Sequence, residues 1–340
     1  MTEQAMQNPV VWCVGGVDSS GGAGITRDIT TLTSLNIHAC AITTLLSAQS
    51  HTSTLCSDEV TANVFRAQWQ VLEKDLPPNA IKIGALANNT QAHTICSNIQ
   101  RLSSPRPFIA WDPVFTTSSG GHLCHLGSLT HTAITQLLRT VDVVTPNIDE
   151  LAALSRLPIT DKSSLVAAAQ QLILLGAKAV LVKGGHAQWQ DDMVDVLLTN
   201  DQIVYFTQST HSTVLLRGTG CMLASACCGF VVKGYSLIDA LTLAIAYVRE
   251  TRSSALRSIG ESAKASCSAA FWQTCVRGAC EVLASAERRS TIEGSPAART
   301  VEKRVRKRMI TRMPRTLARS RPCCQASCCP CRPDPLSLRA

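Results

Sequence analysis

The chain has 340 residues, 45% of them apolar, and a formal net charge of +8. That apolar share fills a sizeable core and excludes a wholly disordered chain, and no apolar run of about 20 residues is present to cross a bilayer. The first ten residues lack a basic segment followed by an apolar one, so no export is expected and the 16 cysteines read as reduced thiols of a cytoplasmic protein.

In chain order, residues 10–14 (VVWCV) predict a buried strand. Residues 15–24 predict a polar, glycine-rich turn. Ile25, Ile29, Leu32 and Leu35 then recur at three- and four-residue spacing, which predicts an amphipathic helix. A strand is expected at 38–46, a helix at 59–76 stopped by Pro77-Pro78, a strand at 80–84 and a helix at 90–102. A strand at 108–111 runs into Asp112-Pro113. A helix at 129–138, a strand at 141–144, helices at 149–155 and 163–175 and a strand at 179–182 follow. Residues 194–198 and 203–207 read as a hairpin across Asn200-Asp201, and helices at 220–232 and 237–256 close the body. Strands separated by helices imply parallel pairing with right-handed crossovers, hence an α/β, doubly wound, mostly parallel sheet with helices on both faces. In such sheets the chemistry sits beyond the C-terminal strand ends, where each polar motif of this chain falls.

Five motifs stand out. Gly218-Thr219-Gly220-Cys221 opens a helix. Backbone N–H groups there converge on an anion, as phosphoryl transfer requires. A thiol at a helix N-terminus is expected to have a lowered pKa and to serve as a base; an ordinary glycine turn over a buried cysteine also fits. Gly15 to Gly24 lacks the spacing of a dinucleotide fingerprint, and no Walker loop is present, so any phosphate site is of another kind. Its length favours a ligand loop, with Asp28 one turn into the following helix. Asn147 and Glu150 share a first helical turn, either as Mg²⁺ ligands through waters or as a plain capping box. Lys183-Gly184-Gly185-His186 at a strand end offers a lysine to a nucleotide phosphate. Asp112-Pro113-Val114 offers a carboxylate to Mg²⁺, or is a turn-forming pair.

Together and in this order, these motifs resemble the ribokinase-like kinases, and among them the hydroxymethylpyrimidine/phosphomethylpyrimidine kinases of thiamine biosynthesis. The resemblance is carried over roughly 10–258 by Asp18–Ile25 with Asp28, Lys82-Ile83-Gly84, Asp112-Pro113-Val114, Thr145-Pro146-Asn147 with Glu150, Val182–His186 and Gly218–Cys221. It implies ATP-dependent phosphorylation of 4-amino-5-hydroxymethyl-2-methylpyrimidine and then of its monophosphate. It implies Cys221 as base, and Gly218, Thr219 and Gly220 with Cys221 as anion hole. Lys183, Gly185, Asn147 and Thr219 would meet ATP, and Glu150 and Asp112 would organise Mg²⁺. Gly16, Ala23, Asp28, Gln49 and Val114 would line the pyrimidine pocket, Gln49 toward the aminopyrimidine edge. A homodimer is implied, as is a kinship with kinases fused to thiamine-phosphate synthase. Neither membrane nor nucleic acid is expected as a partner. Three departures stand out: Arg217 where the family usually has His, Ala85 where it usually has Met, and no lysine near Ser118. A pyridoxal kinase-like enzyme is the rival, and an inactive pyrimidine- or nucleic-acid-binding relic the alternative outside enzymes.

Charge and cysteine divide the chain. Residues 1–261 hold 16 Lys+Arg against 19 Asp+Glu and form the expected kinase domain; 262–340 hold 16 against 5, with half of all the cysteines. The basic 262–340 segment carries no aromatic residue after Trp272 to stack bases, and its cysteine spacing matches no common zinc pattern. It is expected to be a disordered or frame-shifted tail, the abrupt change near residue 260 being what a shift of reading frame there would produce.

Overall fold

The computed structural model describes residues 9–50, 53–102, 104–115, 129–184, 193–208 and 217–260. The expectations for the tail, for Gly185 and His186, and for the segment around Ser118 lie outside them.

The strands are β1 (Val10–Asp18), β2 (His38–Gln49), β3 (Thr54–Glu59), β4 (Ala80–Ile83), β5 (Phe108–Trp111), β6 (Val143–Val144), β7 (Ala179–Val182), β8 (Met193–Thr199) and β9 (Ile203–Gln208). They form one nine-stranded sheet in the order β3-β2-β1-β4-β5-β6-β7-β8-β9. The six strands from β2 to β7 in that order pair parallel, whereas β3, β8 and β9 run antiparallel at the edges. The helices are α1 (Gly24–Ser34), α2 (Ala62–Asp75), α3 (Asn89–Arg101), α4 (His131–Thr140), α5 (Ile148–Ser155), α6 (Lys162–Leu174), α7 (Thr219–Val232) and α8 (Leu237–Gly260). None among the described residues is long and apolar enough to cross a membrane.

Strand alternation divides the core. Trp12 and Val14 face one apolar cluster with residues of α2 to α6, and Val11 and Cys13 face the other with α1, α7 and α8. The crossover rule explains this division. From β1 the chain steps outward to β2 through α1; it then returns past β1 to β4 and travels the opposite way. Right-handed crossovers in opposite directions put their helices on opposite faces. The loops after β1 and β4 therefore part, and a crevice opens between those strands at their C-terminal ends. Helix α7 is buried nearly all round, from Cys221 to Phe230, which fits its nearly continuous apolar sequence.

Two sequence expectations need correction. The turn expected at 15–24 is strand through Asp18, because Gly15 and Gly16 continue the pairing with β2 across a bulge. A side chain at Gly16 would meet Leu45 Cδ1 at 2.8 Å, so Leu45 would have to shift to admit one. Strand β3 was not expected, and Glu59 ends it rather than opening α2. Its exposed TLCSDE sequence is held by the β2 edge and not by a buried face. The hairpin and the remaining elements lie within a few residues of expectation.

Trp69 of α2 packs edge-on against Trp12 of β1, ring centroids 5.0 Å apart and both fully buried. Trp69→Ala is expected to cost about 3–5 kcal/mol of stability, read from the urea midpoint at constant slope.

Candidate active site

Six strands deliver side chains to the crevice. Lys82 sits within β4, a strand otherwise made of Ala, Ile and Ile, and is 1% exposed. An ammonium buried so deeply needs a partner. Its Nζ lies 2.9 Å from Oδ2 of Asp28 in α1, and Asp28 Oδ1 accepts from Ser225 Oγ of α7 at 2.8 Å. One buried pair thus ties a strand to the two helices that open onto the crevice. Burial alone would lower the Lys82 pKa, but the Asp28 carboxylate outweighs it and holds the lysine charged, with Cys221 and Asp112 adding to the effect. Asp28 was expected to line a ligand pocket. In the structure it is fully buried, and its two oxygens engage Lys82 and Ser225.

A second cluster lies at the ends of β5, β6 and β7. Lys183 Nζ is 2.7 Å from Asp112 Oδ1 and 3.6 Å from Glu150 Oε2. Thr145 Oγ1 donates to Asp112 Oδ1 at 3.3 Å. Asn147 and Glu150 do form a capping box, Asn147 N–H donating to Glu150 Oε2 at 2.7 Å. The same Oε2 faces Lys183, so the structural and the functional readings of this motif coexist. Burial raises the Asp112 pKa, but Lys183 and Lys82 outweigh it and hold the carboxyl below its ordinary value. Burial, with Asp112 nearby, pushes Glu150 up. Lys183 is held charged by Asp112 and Glu150 against its burial.

Helix N-termini close the crevice. Helices α2 to α6 begin on side-chain caps from Thr61, Asn88, Thr130, Asn147 and Asp161. Helices α1 and α7 begin on Ala23 and Gly218 with no side-chain cap. The start of α1 instead bridges to β1 at Val17 and Gly24, and both macrodipoles favour an anion. Gly218 adopts φ +72°, and a Cβ there would meet the Gly22 carbonyl oxygen at 2.3 Å, so the turn rests directly on the loop that follows β1. A Cβ at Gly220 would lie 3.0 Å from Lys183 Nζ. The uncapped end of α7 therefore faces the second cluster.

Cys221 stands between the two clusters. The Gly24 N–H, first of α1, acts on its thiol to favour the thiolate, and the thiol in turn helps to keep Asp112 ionised. The expected lowering of its pKa does not occur. Burial pushes the thiol up to about 12, aided by Asp112 and Asp28 and opposed by Lys82. Low exposure and two nearby carboxylates outweigh the helix end. Gly16 is buried in β1, and Ala23 and Val114 are half-buried at the loops after β1 and β5. The Gln49 amide is not free: Nε2 donates to Asp18 Oδ2 at 3.0 Å, and Oε1 accepts from Thr54 at 3.4 Å. Sequence reasoning gave no role to Lys82, Asp18 or Ser225. A lysine inside AIKI was the available signal for the first, since burial there demands a counter-charge.

No group of three or more His, Cys, Asp or Glu that could hold a metal occurs among the described residues. Asp112 and Glu150 offer two carboxylates beside a cation. That donor set fits Mg²⁺, which keeps several waters and binds through one or two carboxylates together with substrate phosphates.

An open α/β sheet whose strand ends gather an uncapped α7 N-terminus and a charge-compensated carboxylate cluster is the arrangement of a ribokinase-like small-molecule kinase. The chain belongs to the phosphomethylpyrimidine kinase family, whose model matches residues 18–265. It is 32% identical over 245 residues to a hydroxymethylpyrimidine/phosphomethylpyrimidine kinase of Rhizobium meliloti (strain 1021), covering 72% of this chain and 90% of that one. Its fold is similar to that of the phosphomethylpyrimidine kinase of Clostridium difficile 630, at TM-score 0.61 and 25% identity over 72% of this chain and 99% of that one. It is also similar to a Staphylococcus aureus pyridoxal kinase solved with pyridoxal, at TM-score 0.65 and 25% identity over 72% and 88%.

Two expected outcomes follow from this geometry. Lys82→Met strands the Asp28 charge and should cost about 3–5 kcal/mol, whereas Lys82→Met combined with Asp28→Asn should recover most of it; urea unfolding of both variants measures this. With its thiol pushed up to about 12, Cys221 should hold far less thiolate than an ordinary thiol at pH 8. Iodoacetamide labelling followed by peptide mass mapping should therefore modify exposed Cys56 well before Cys221.

Proposed function

We propose that this kinase transfers the γ-phosphoryl group of ATP to the hydroxymethyl oxygen of 4-amino-5-hydroxymethyl-2-methylpyrimidine, and then a second phosphoryl group to the monophosphate so formed, in thiamine biosynthesis. Family membership supports the substrate class. The observation that carries the chemistry is the uncapped α7 end beside Lys183, with Cys221 as the first buried side chain of the helix.

In this reading the acceptor lies over Gly16, Ala23 and Val114, and the ATP phosphates lie beside Lys183, Asn147, Thr219 and Gly185. The hydroxyl oxygen bonds to the γ-phosphorus while the bond from that phosphorus to the β–γ bridging oxygen breaks, and ADP leaves with the electron pair. The N–H groups of Gly218–Cys221 receive the charge that develops on the moving phosphoryl group. Cys221 takes the hydroxyl proton. Because its resting form is the thiol, it must first lose its own proton to water, a loss that the Lys82 ammonium favours. Lys183 neutralises the incoming phosphates as a point charge. Mg²⁺, held by Asp112 and Glu150 with waters, would supply charge neutralisation between the nucleotide phosphates. A homodimer in the cytoplasm belongs to the same proposal and rests on the resemblance.

The test is ATP-dependent turnover of the two pyrimidines and of pyridoxal by full-length protein, followed by ³¹P NMR. Diphosphate formation, faster than pyridoxal phosphorylation, is expected. Faster pyridoxal turnover would refute the acceptor assignment. Cys221→Ala should lower turnover by about 10²–10⁴, the usual span for loss of a general base, and an undiminished rate would remove the thiol from the mechanism.

A further inference from the structure

Asp18 ends β1, and its two oxygens have different partners. Oδ1 accepts from the backbone N–H and the hydroxyl of Ser20, both at 2.8 Å, which fixes the plane of the carboxylate. Oδ2 is shared. Gln49 Nε2 donates to it at 3.0 Å, and Arg217 Nη2 reaches it from 3.5 Å. Nη1 of Arg217 donates to the Ser50 carbonyl. Both charged side chains are largely buried, at 12% exposure for Arg217 and 4% for Asp18. Arg217 immediately precedes Gly218, so this one side chain ties the anion turn to the ends of β1 and β2. The grip is incomplete: Nε of Arg217 is buried without a hydrogen-bond partner, and Nη2 sits at the long end of hydrogen-bonding distance because Gln49 holds the nearer place on Oδ2.

We propose that Asp18 and Arg217 form a clasp that positions the Gly218–Cys221 turn, and that Gln49 sets its tightness by competing for Asp18 Oδ2. An acceptor whose ring nitrogen and amino edge engage the Gln49 amide removes that competitor. Asp18 Oδ2 then closes on Arg217, and acceptor binding seats the turn that must receive the moving phosphoryl group. Asp18 and Arg217 touch neither substrate and are positioning residues. The identity of the acceptor rests on the functional reading above; the clasp itself does not.

The experiment compares full-length wild type with Asp18→Asn, Arg217→Gln, Arg217→Lys and the Asp18→Asn/Arg217→Gln pair. A clasp predicts that each of the first two lowers kcat for hydroxymethylpyrimidine about tenfold or more, the scale of one charge-assisted hydrogen bond, with a smaller change in acceptor KM. Arg217→Lys should recover part of the loss, and the double variant should be no worse than the poorer single one. Losses that multiply, or that fall wholly on acceptor KM, overturn the clasp. Hydrogen exchange of the 218–222 amides reads it without turnover: exchange should be about tenfold faster in Asp18→Asn than in wild type, and equal rates overturn the proposal. In wild type, adding the pyrimidine should slow those amides, and no slowing overturns the role of Gln49. A wild type that phosphorylates neither pyrimidine sinks the functional reading, and ligand-free exchange alone then decides the clasp.

Discussion

The Lys82–Asp28 pair is the constraint on which the site depends. Two opposite charges lie in the core of an α/β sheet, almost without solvent access and 2.9 Å apart. Such a pair returns little net stability compared with apolar residues of similar size. What it does is join. Lys82 belongs to β4, Asp28 to α1, and Ser225, the third partner, to α7. These elements border the crevice, and a buried charge fixes them in relation to one another because any slip leaves an ion unpaired. The pair also leaves an ammonium near Cys221, a charge that favours the thiolate.

Above this floor the charges are arranged by side. Asp112, Lys183 and Glu150 come from the end of β5, the end of β7 and α5, and they compensate one another while still bordering the end of α7. Asp18, Gln49 and Arg217 lie toward β1 and β2. The anion turn is the seam between the two sides. Gly220 abuts Lys183 on one side, and Arg217 reaches Asp18 on the other. Gly218 has to be glycine twice over, for its positive φ and for the 2.3 Å approach to the Gly22 carbonyl.

The state of the thiol shows how competing electrostatic effects resolve in a buried site. A helix N-terminus and a nearby ammonium favour the thiolate, and the Gly24 N–H does so too. Burial and two carboxylates favour the thiol and win. A thiol held in this state must lose its proton before it can act as a base, and the Lys82 ammonium is a charge that favours that loss.

Periodicity in the chain determined the alternation of strands and helices, because burial on one face or both writes itself into local apolar spacing. The motifs after strand ends were legible for the same reason, and Lys183, Asp112, Glu150 and Cys221 do converge. Local pattern could not show β3, whose exposed sequence has no buried face to betray it, or the continuation of β1 through Gly15 and Gly16, where only the neighbouring strands make glycine a strand residue. Nor could it distinguish an Asp28 that meets a ligand from one that neutralises Lys82, because their pairing spans 54 positions of chain and exists only once β4 and α1 pack. The same holds for Asp18 and Arg217, 199 residues apart, and for the Cys221 pKa. Ionisation depends on which charges and how much solvent surround a group in space, and those are set by tertiary contacts and not by sequence neighbours.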